Sequence, residues 1–353
     1  MRFKKSMLYR RCCHVFLIML VFSLFWALPG NAKDFNLRLQ SFQVGWQFSR
    51  STKPFISLVE RLTKGSIKIK AFPVGSVVPL METLEAVRSG VLDMAFVPEG
   101  YFAGQVPVSL ISSALPYAFD STDEAEFFMY NRGFLDILRE EYAKQDIHWI
   151  PMEVYPSTIM TKKPINKIED LKGMKIRAFG TMAEWLRECG ATTVFIPVGE
   201  MYTALATGVA EGAYSGDAGV MYEHKLHEVL DYYLTPEPSA GCWWSMFVNQ
   251  KLWESFSSEQ KDAVEAAALI NGRITYRHTR VMTQRALQEM QDKFGVKVTV
   301  LPKAERDKAK AFALKTWQKI ASKDEASAKV IEMILQFQKE KEVFVEAKLP
   351  WVF

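Results

Sequence analysis

The chain contains one pattern twice: residues 82–96 read ETLEAVRSGVLDMAF, and residues 200–214 read EMYTALATGVAEGAY. In each copy a helical run ends at a glycine, and an apolar strand follows, with residues of similar type at most positions and no gap. A shorter segment, KIKAF at residues 68–72, is echoed more weakly by KIRAF at residues 175–179. Repeated units of this kind predict two similar lobes, although any chain that alternates helices and strands can repeat such a pattern by chance.

Strands and helices alternate along the chain around the first copy. Residues 35–43 and 66–72 alternate apolar and polar side chains, which is typical of half-buried strands, and residues 91–97 form a buried type of strand. Between these strands, residues 55–62 and 81–88 place their apolar side chains with helical spacing. This alternation predicts an α/β fold with a largely parallel sheet and helices on its faces.

The loops after the two repeated strands are the predicted walls of a cleft. Ligands of parallel α/β sheets bind beyond the carboxyl ends of the strands, which here are residues 98–101 and 215–218. Glu99 and Asp217 occupy matching positions in these loops, and either carboxylate can accept hydrogen bonds from a ligand hydroxyl or amine. Each can equally be a helix N-cap or a solvated loop acid.

Residues 170–180, DLKGMKIRAFG, place Arg177 at the end of a short apolar strand. A cation at the carboxyl end of a strand would face the same cleft as the two repeated loops. The alternative is an arginine that lies at a strand end on the surface. Arg177 is therefore the first candidate for a binding residue.

The chain crosses between the predicted lobes twice. An apolar strand within residues 142–160 makes the first crossing, with the lobe boundary near Tyr155–Pro156, and residues 245–249 form the return strand. The predicted domains are a signal peptide, a first lobe, a second lobe, and a C-terminal helix with its tail: 1–32; 33–154 plus about 243–282; 155–242 plus about 283–335; and 336–353.

A long helix follows the return crossing. Ser257 and Gln260 form a capping box, and the helix runs without proline to about Phe294, a length of roughly 50 Å. This length predicts a helix that lies along both lobes, although Gly272 could divide it into two. The S-x-x-E sequence at residues 322–325 is predicted to cap the last helix.

The first 32 residues differ in composition from the rest. Five basic residues precede the apolar run Val15–Leu28, and small residues follow it, which predicts a secretory signal peptide cleaved near Ala32/Lys33. An uncleaved anchor is the alternative. Of 44 basic and 40 acidic side chains in the chain, the leader holds five basic ones and no acid, so the remainder is close to neutral. This balance gives no reason to expect binding to nucleic acid, and the predicted location is the periplasm.

Common enzyme and metal motifs are missing from the sequence. It contains no G-x-S-x-G, no phosphate-binding loop and no paired CxxC zinc motif. His224 and His227 have the spacing of a metal pair, but no third ligand is evident. Cys189 and Cys242 can form a disulfide or remain two buried thiols, because the sequence does not give the distance between them. We therefore expect no catalytic activity, no metal and no cofactor.

Four segments resemble one known family: residues 82–95, EDLKGMKIR at 169–177, residues 202–212, and VNQKLW at 248–253 ahead of the capped helix. The chain resembles the solute receptors of tripartite ATP-independent periplasmic (TRAP) transporters, the DctP-like family, over essentially its whole length after the leader. The resemblance implies a two-lobed periplasmic binding protein fold of type II-like topology, with the ligand cleft between the lobes and a long helix spanning both.

The same resemblance implies a function. Such receptors close on an organic acid and deliver it to a membrane permease that an ion gradient drives. In the family, the arginine that matches Arg177 forms a bidentate salt bridge with the ligand carboxylate, and guanidinium geometry suits this role better than a lysine ammonium does. The expected partners are therefore a small organic acid and the permease subunits, with the receptor itself a monomer.

The sequence departs from two branches of the family. The sialic-acid-binding branch has a second arginine near Ser157 and an asparagine near Ser215, and the keto-acid branch has a Glu-Trp pair that helps to hold a metal ion near residues 214–215. With one strong cation, a monocarboxylate with an apolar or aromatic body is favoured. A dicarboxylate or sugar acid, and from other classes a secreted enzyme or a sensor subunit, are the alternatives.

The remaining candidates for the cleft are aromatic or polar residues at predicted strand ends and turns. Aromatic residues are ordinarily core residues, so each can also be structural. The full set of predicted ligand-binding residues is Arg177, Trp46, Glu99, Tyr101, Tyr155, Ser157, Phe179, Tyr214, Ser215, Asp217, Trp243 and Trp244.

Overall fold

The structure is a computed structural model that describes residues 33–43 and 45–346 of the 353-residue chain. The predicted signal peptide and the last seven residues lie outside the described residues. Ten strands form the sheet: β1 (Phe35–Ser41), β2 (Ile67–Pro73), β3 (Met94–Pro98), β4 (Ile147–Thr161), β5 (Lys175–Arg177), β6 (Thr192–Val194), β7 (Gly212–Ser215), β8 (Tyr232–Thr235), β9 (Ser239–Asn249) and β10 (Lys297–Val300).

Twelve α-helices of four or more residues surround the sheet in the described part of the chain. They are α1 (Lys53–Leu62), α2 (Thr83–Arg88), α3 (Ser109–Ser112), α4 (Thr122–Asn131), α5 (Phe134–Ala143), α6 (Gly180–Glu188), α7 (Met201–Ala206), α8 (Ala218–Glu223), α9 (Gln250–Glu254), α10 (Ser258–Phe294), α11 (Lys303–Ala321) and α12 (Glu325–Glu346). A helical turn at Gly45–Gln47 and a π-helix at Phe48–Thr52 lead into α1. None of the helices described has the length and hydropathy of a membrane-spanning segment.

The sheet has two halves of matching topology. Its strand order is β2-β1-β3-β9-β4-β7-β5-β6, with β8 joined to β4 and β10 joined to β8. We call β2, β1, β3 and β9 the first lobe, and β7, β5, β6, β8 and β10 the second lobe. Each lobe has three parallel strands, and one of them pairs with an antiparallel crossing strand: β3 pairs with β9, and β7 pairs with β4. The repeated segments, α2–β3 and α7–β7, therefore occupy equivalent places, and the α/β two-lobed prediction is confirmed.

The weaker sequence echo does not reflect equivalent strands. The KIKAF segment lies in β2, which is an edge strand that pairs with β1 alone, whereas KIRAF contains β5, which lies between β6 and β7. By position in the sheet, β5 matches β1. Lys70 is the third residue of KIKAF, as Arg177 is of KIRAF, but the two residues lie at different positions in the sheet. Similar short strands can occur at different positions in a parallel sheet.

Strand β4 connects the two lobes. It pairs with β9 from Ile147 to Ser157 and with β7 from Thr158 to Thr161. The register with β9 shifts between Pro151 and Glu153 and again between Tyr155 and Ser157. The change of partner thus falls close to Tyr155–Pro156, where the sequence places the lobe boundary.

Helix α10 is continuous through Gly272. The hydroxyl of Ser257 accepts a hydrogen bond from the backbone N–H of Gln260 at 3.2 Å, and the Gln260 side chain accepts one from the Ser257 N–H at 3.0 Å. The helix ends at Gly295 with φ +72°. A Cβ at Gly272 would overlap the carbonyl oxygen of Met152, so this glycine allows α10 to lie directly on β4 instead of breaking the helix.

The cap of the last helix differs from the prediction. Asp324 accepts a hydrogen bond from the Ser327 N–H at 2.6 Å, whereas the Ser322 hydroxyl donates to the carbonyl of Lys319 at 2.8 Å. Ser322 still belongs to the last turn of α11, so Asp324 is the residue placed to cap α12. The domain boundary predicted between residues 335 and 336 falls inside α12, which runs unbroken to Glu346.

Candidate functional site

A cavity lies at the carboxyl ends of the strands, between the two lobes. The strand ends contribute Pro98 from β3, Arg177 from β5 and Ser215 from β7, and the crossing strands contribute Tyr155 and Trp244. The empty space amounts to about 640 Å³ when the part open to solvent is included.

The wall of the cavity is mostly apolar. Phe42 follows β1, Val198 follows β6, and Val220 comes from α8. Phe179 stacks edge-on against Tyr101, with ring centroids 4.6 Å apart. The ring of Trp244 meets that of Phe42 edge-on at 4.8 Å and that of Tyr155 at 4.7 Å. An organic body without charge would find apolar contact on several sides.

Arg177 is the cation of this cavity, and it is only 2% exposed. Its Nε donates to the Ile196 carbonyl at 2.8 Å, its Nη1 to the Tyr214 carbonyl at 2.8 Å, and its Nη2 to the Tyr101 hydroxyl at 3.1 Å. The guanidinium carbon lies 4.9 Å from the centre of the Phe179 ring. Because a guanidinium has five N–H donors, two remain for a ligand, one on each terminal nitrogen.

The charge of Arg177 has no counter-ion among the residues that the structure describes. Its hydrogen-bond acceptors are two carbonyls and a hydroxyl, and no carboxylate of the described residues lies within ion-pair distance. A buried charge that is unpaired is strongly unfavourable, and neutral acceptors offset only part of that cost. The cavity is therefore complementary to an anion.

Three neutral polar side chains in the cavity have no hydrogen-bond partner among the described residues: Gln47, Ser215 and His224. Burial, with a smaller effect from the charge of Arg177, lowers the pKa of His224 to about 4. His224 is therefore neutral at pH 7, and Arg177 is the one charged side chain among the described residues that line the cavity.

Two buried networks support the cavity from behind. The Tyr214 hydroxyl lies 2.8 Å from the Ser157 hydroxyl and donates to the Cys242 thiol at 3.9 Å. Behind Tyr155, the carboxylate of Glu153 accepts the Tyr155 hydroxyl at 2.5 Å and is also bonded by Ser51 and Gln43. Ser157 thus positions Tyr214 and does not reach the cavity itself.

Besides Ser157 and Trp46, three predicted site residues do not line the cavity. Glu99 is buried in the first lobe, where it accepts hydrogen bonds from Trp149 Nε1 at 2.6 Å and Ser245 Oγ at 2.9 Å. Asp217 is the N-cap of α8, bonded by the Val220 N–H at 3.1 Å, and it also accepts the Thr283 hydroxyl at 2.6 Å. Asp217 is therefore the helix N-cap that the sequence offered as its alternative, whereas Glu99 is neither an N-cap nor a solvated acid, because its carboxylate is fully buried.

The third is Trp243, which points away from the cavity. Successive side chains of a strand face opposite sides, so of the two neighbouring tryptophans only one can reach the cavity. Trp244 does, and Trp243 meets Tyr130 edge-on at 6.2 Å.

Trp46 lies in a smaller cleft that adjoins the cavity. The other predicted residues, Tyr101, Tyr155, Arg177, Phe179, Tyr214, Ser215 and Trp244, line the cavity.

Sequence reasoning missed several lining residues. Val220 and His224 are four positions apart, the spacing that places side chains on one face of a helix, so the helix after Asp217 carried a signal that could have been used. Phe42 lies at the end of the alternating segment 35–43, just after β1, and Gln47 lies in the short helical turn Gly45–Gln47, which is too brief to show a periodic pattern. The lining residues outside the predicted binding set are Phe42, Gln47, Pro98, Val198, Gly216, Val220, His224 and Cys242, of which Pro98 and Gly216 belong to loops that were predicted as walls of the cleft.

Neither the cysteines nor the histidines form a site of their own. Cys189 and Cys242 are unpaired and buried, and burial raises the pKa of each thiol to about 12. His227 stacks on Tyr222 with ring centroids 4.6 Å apart, so its ring faces an aromatic neighbour. No group of three or more His, Cys, Asp or Glu side chains between residues 33 and 346, Val44 aside, is placed to hold a metal ion.

The two lobes, the shared strands and the cleft at the strand ends define a two-lobed α/β binding protein. The chain belongs to the DctP family, bacterial extracellular solute-binding protein family 7, whose model matches residues 47–324. Members of this family are solute-binding proteins of TRAP transporters.

Among its relatives is the monocarboxylate 2-oxoacid-binding periplasmic protein all3028 of Nostoc sp., which is 23% identical over 80% of this chain and 78% of that protein. The ectoine/5-hydroxyectoine-binding periplasmic protein UehA of Ruegeria pomeroyi is 27% identical over 75% of this chain and 76% of that one. A TRAP solute-binding protein from Bordetella bronchiseptica, with calcium and picolinate bound, has the same fold: its TM-score is 0.82 at 22% identity, covering 89% of this chain and 95% of that chain.

Proposed function

We propose that the protein is a periplasmic receptor for a small organic acid with a single carboxylate and an apolar or aromatic body. In this proposal the leader is removed on export, the receptor acts as a monomer, and it delivers the acid to the permease subunits of a TRAP transporter. Arg177 binds the carboxylate, while Phe42, Phe179 and Trp244 contact the body.

The observation that carries the proposal is the buried guanidinium of Arg177 without a counter-ion. Two of its N–H groups have no partner, and a carboxylate would accept both in the bidentate geometry that arginine favours. The Tyr101 hydroxyl accepts from Nη2 at 3.1 Å, so its own proton is available to the same carboxylate. No other cation lines the cavity in the described part of the chain.

The charge pattern also favours one carboxylate over two. A second carboxylate in this cavity would be desolvated with only neutral donors, such as Gln47, Ser215 and His224, to replace its water. Amino acids are disfavoured as well, because no lining residue is a carboxylate that could bind an ammonium group. The picolinate bound to the Bordetella relative is likewise an aromatic ring with one carboxylate.

Ligand binding would be coupled to closure of the cleft. Arg177 and Val220 belong to the second lobe, whereas Phe42, Tyr101 and Trp244 belong to the first. A ligand that contacts both sets binds the closed form best and therefore shifts the population toward it. The bond between Arg177 and Tyr101 shows that the two walls are within reach of each other.

A hydroxylated acid, such as a sugar acid, is the second candidate. The three unpartnered side chains Gln47, Ser215 and His224 favour it, because hydroxyl groups can both donate to and accept from them. A ligand with several hydroxyl groups would then bind more tightly than a purely apolar acid of the same size.

Thermal unfolding with a panel of organic acids tests the function. A receptor ligand raises the melting temperature according to its concentration and Kd, and it is recovered unchanged. The panel should include aromatic and aliphatic monocarboxylates, dicarboxylates and sugar acids at equal concentration. Conversion of a stabilising acid into product would refute the receptor function, and stabilisation by dicarboxylates alone would refute the monocarboxylate preference.

A further inference from the structure

The cavity around Arg177 continues into a smaller cleft. Gln47, Tyr155, Val220 and Trp244 line both spaces, so the two share a boundary. Beyond that boundary the cleft extends between the π-helix of the first lobe and α10, and its empty space amounts to about 250 Å³ when the part open to solvent is included. We call it the distal cleft; its far wall is formed by Trp46, Arg50, Thr275 and Thr279.

Two polar atoms of the distal cleft have no partner. Trp46 Nε1 and Thr275 Oγ1 are both buried, and neither has a hydrogen bond among the described residues. Thr275 is only 6% exposed. Gln47, on the boundary, also has an unpartnered amide. Unpaired buried donors and acceptors are rare in folded proteins, because each one carries the cost of its lost hydration.

Three polar side chains beside these two atoms do have hydrogen-bond partners. Ser51, Tyr155 and Gln43 all donate to the carboxylate of Glu153. A threonine inside a helix commonly returns its hydroxyl to the carbonyl one turn earlier, as Thr316 does with Phe312 at 3.3 Å. Thr275 makes no such bond, so its hydroxyl is available to a molecule in the cleft.

We propose that the distal cleft is a second subsite, which binds a neutral oxygen at the far end of the ligand through Trp46 Nε1 and Thr275 Oγ1. The inference rests on the proposed function, since the carboxylate at Arg177 fixes the other end. It predicts an elongated ligand with a carboxylate, an apolar middle that lies against Tyr155, Val220 and Trp244, and a terminal hydroxyl or carbonyl group.

A neutral oxygen fits this subsite better than a second carboxylate. Both unpartnered groups are neutral, and the indole N–H is a donor only. Arg50 is the nearby cation, but it is exposed, contacts His278, and lies over the Trp46 ring at 5.6 Å. Water screens a charge in that position, so it would offset little of the desolvation of a buried carboxylate.

Two matched pairs of ligands test the subsite: hexanoate with 6-hydroxyhexanoate, and 3-phenylpropanoate with 3-(4-hydroxyphenyl)propanoate. Each pair differs by one terminal hydroxyl. Calorimetric titration of the wild type should give tighter binding of at least one hydroxylated member over its partner, by roughly fivefold to tenfold, as one net hydrogen bond provides. Adipate, which has the same length as 6-hydroxyhexanoate, tests the charged alternative.

The variants Thr275→Val and Trp46→Phe remove the two polar atoms and keep most of the shape. Each should abolish or reduce the preference for the hydroxylated acid and leave the Kd of the plain acid within about twofold of the wild-type value. The control Thr316→Val, which changes a buried threonine of α11, should alter neither the preference nor the Kd of the plain acid. Thr275→Val should also leave the melting temperature of the ligand-free protein unchanged or higher, because it removes an unpartnered buried hydroxyl.

Equal binding within both pairs would overturn the subsite, and the distal cleft would then hold water only. Tighter binding of adipate than of 6-hydroxyhexanoate would refute the claim that the subsite prefers a neutral oxygen to a carboxylate. These results would not bear on the proposed function, which the variant Arg177→Gln tests separately. Arg177→Gln should weaken the binding of every member of both pairs alike. Absence of binding by all five acids would refute the ligand class itself.

Discussion

Replacement of Arg177 by glutamine should remove most of the affinity for a carboxylate ligand and leave the fold intact. Glutamine keeps an amide donor and much of the side-chain length, but it has no charge and cannot offer two parallel N–H groups. Because the wild-type guanidinium is buried without a counter-ion, its loss also removes an unfavourable feature of the ligand-free protein. The Ile196 and Tyr214 carbonyls lose their donors, so the two effects on stability oppose each other.

The size of the effect follows from the donors that are left for the ligand. Three of five N–H groups of Arg177 are used within the protein, and two are available. A hydrogen bond to a charged group contributes about 1.5–3 kcal/mol, so two contribute about 3–6 kcal/mol. Each 1.4 kcal/mol is tenfold in Kd, so Arg177→Gln should weaken binding by roughly a hundredfold to ten-thousandfold. Arg177→Lys keeps a point charge, so its Kd should fall between those of the wild type and Arg177→Gln.

The assay is titration calorimetry with the most stabilising acid of the thermal panel, together with thermal unfolding of each ligand-free variant. Arg187→Gln is the matched control, since Arg187 is an exposed residue of α6 that donates to Thr193 at 2.7 Å and does not line the cavity. It should bind as the wild type does. A Kd for Arg177→Gln within threefold of the wild type, in a variant that unfolds at a normal temperature, would refute the role of the guanidinium.

Three further predictions concern stability and chemistry. Gly272→Ala would drive a Cβ into a carbonyl oxygen of β4 and should cost about 3 kcal/mol of unfolding free energy or more in denaturant titration, whereas Gly199→Ala, where no atom lies within 4 Å, should cost little. Burial raises the pKa of Glu153 to about 7, above its usual value near 4.5, so its protonated form favours folding below pH 4.5 and this contribution is lost as pH rises through 7. The free energy of unfolding of Glu153→Gln minus that of the wild type should therefore be larger at pH 8 than at pH 5, by up to about 3 kcal/mol. An equal difference at both pH values would contradict the argument. Cys189 and Cys242 should resist thiol reagents in the native protein and react after denaturation, and a disulfide between them detected by mass spectrometry would contradict the structure.

Local signals in the sequence predicted the parts of the fold that depend on neighbouring residues. The capping box at Ser257 fixes the start of α10 from four consecutive residues, and the absence of proline predicts its length. The cleft also followed from a general rule, because the carboxyl ends of parallel strands meet at one edge. Arg177 was found in the same way, as a cation at the end of a short strand.

The failures share a physical cause: they depend on which way a side chain points or on what lies behind it. For Trp243 and Trp244 the predicted return strand began only at residue 245, whereas β9 begins at Ser239, and the side that each tryptophan faces depends on the register with β4, which only the folded sheet sets. Glu99 was placed in the right loop, yet its carboxylate turns inward because Trp149 and Ser245 donate to it. Thr275 carried no signal, since the cleft that it lines also needs Trp46 and Arg50, which lie more than 200 positions earlier in the chain.

Gly272 and the register shifts of β4 together indicate where the two lobes can move. The contact between Gly272 and the Met152 carbonyl leaves no room for even one extra carbon, so α10 and β4 are held together at that point. The ladder between β4 and β9 is interrupted at this same point, between Pro151 and Glu153, and again between Tyr155 and Ser157. Interrupted pairing allows rotation that a regular ladder resists, so closure is expected to turn on this segment. Tyr155 lies within it and lines both the cavity and the distal cleft, which means that a ligand would contact the moving segment directly.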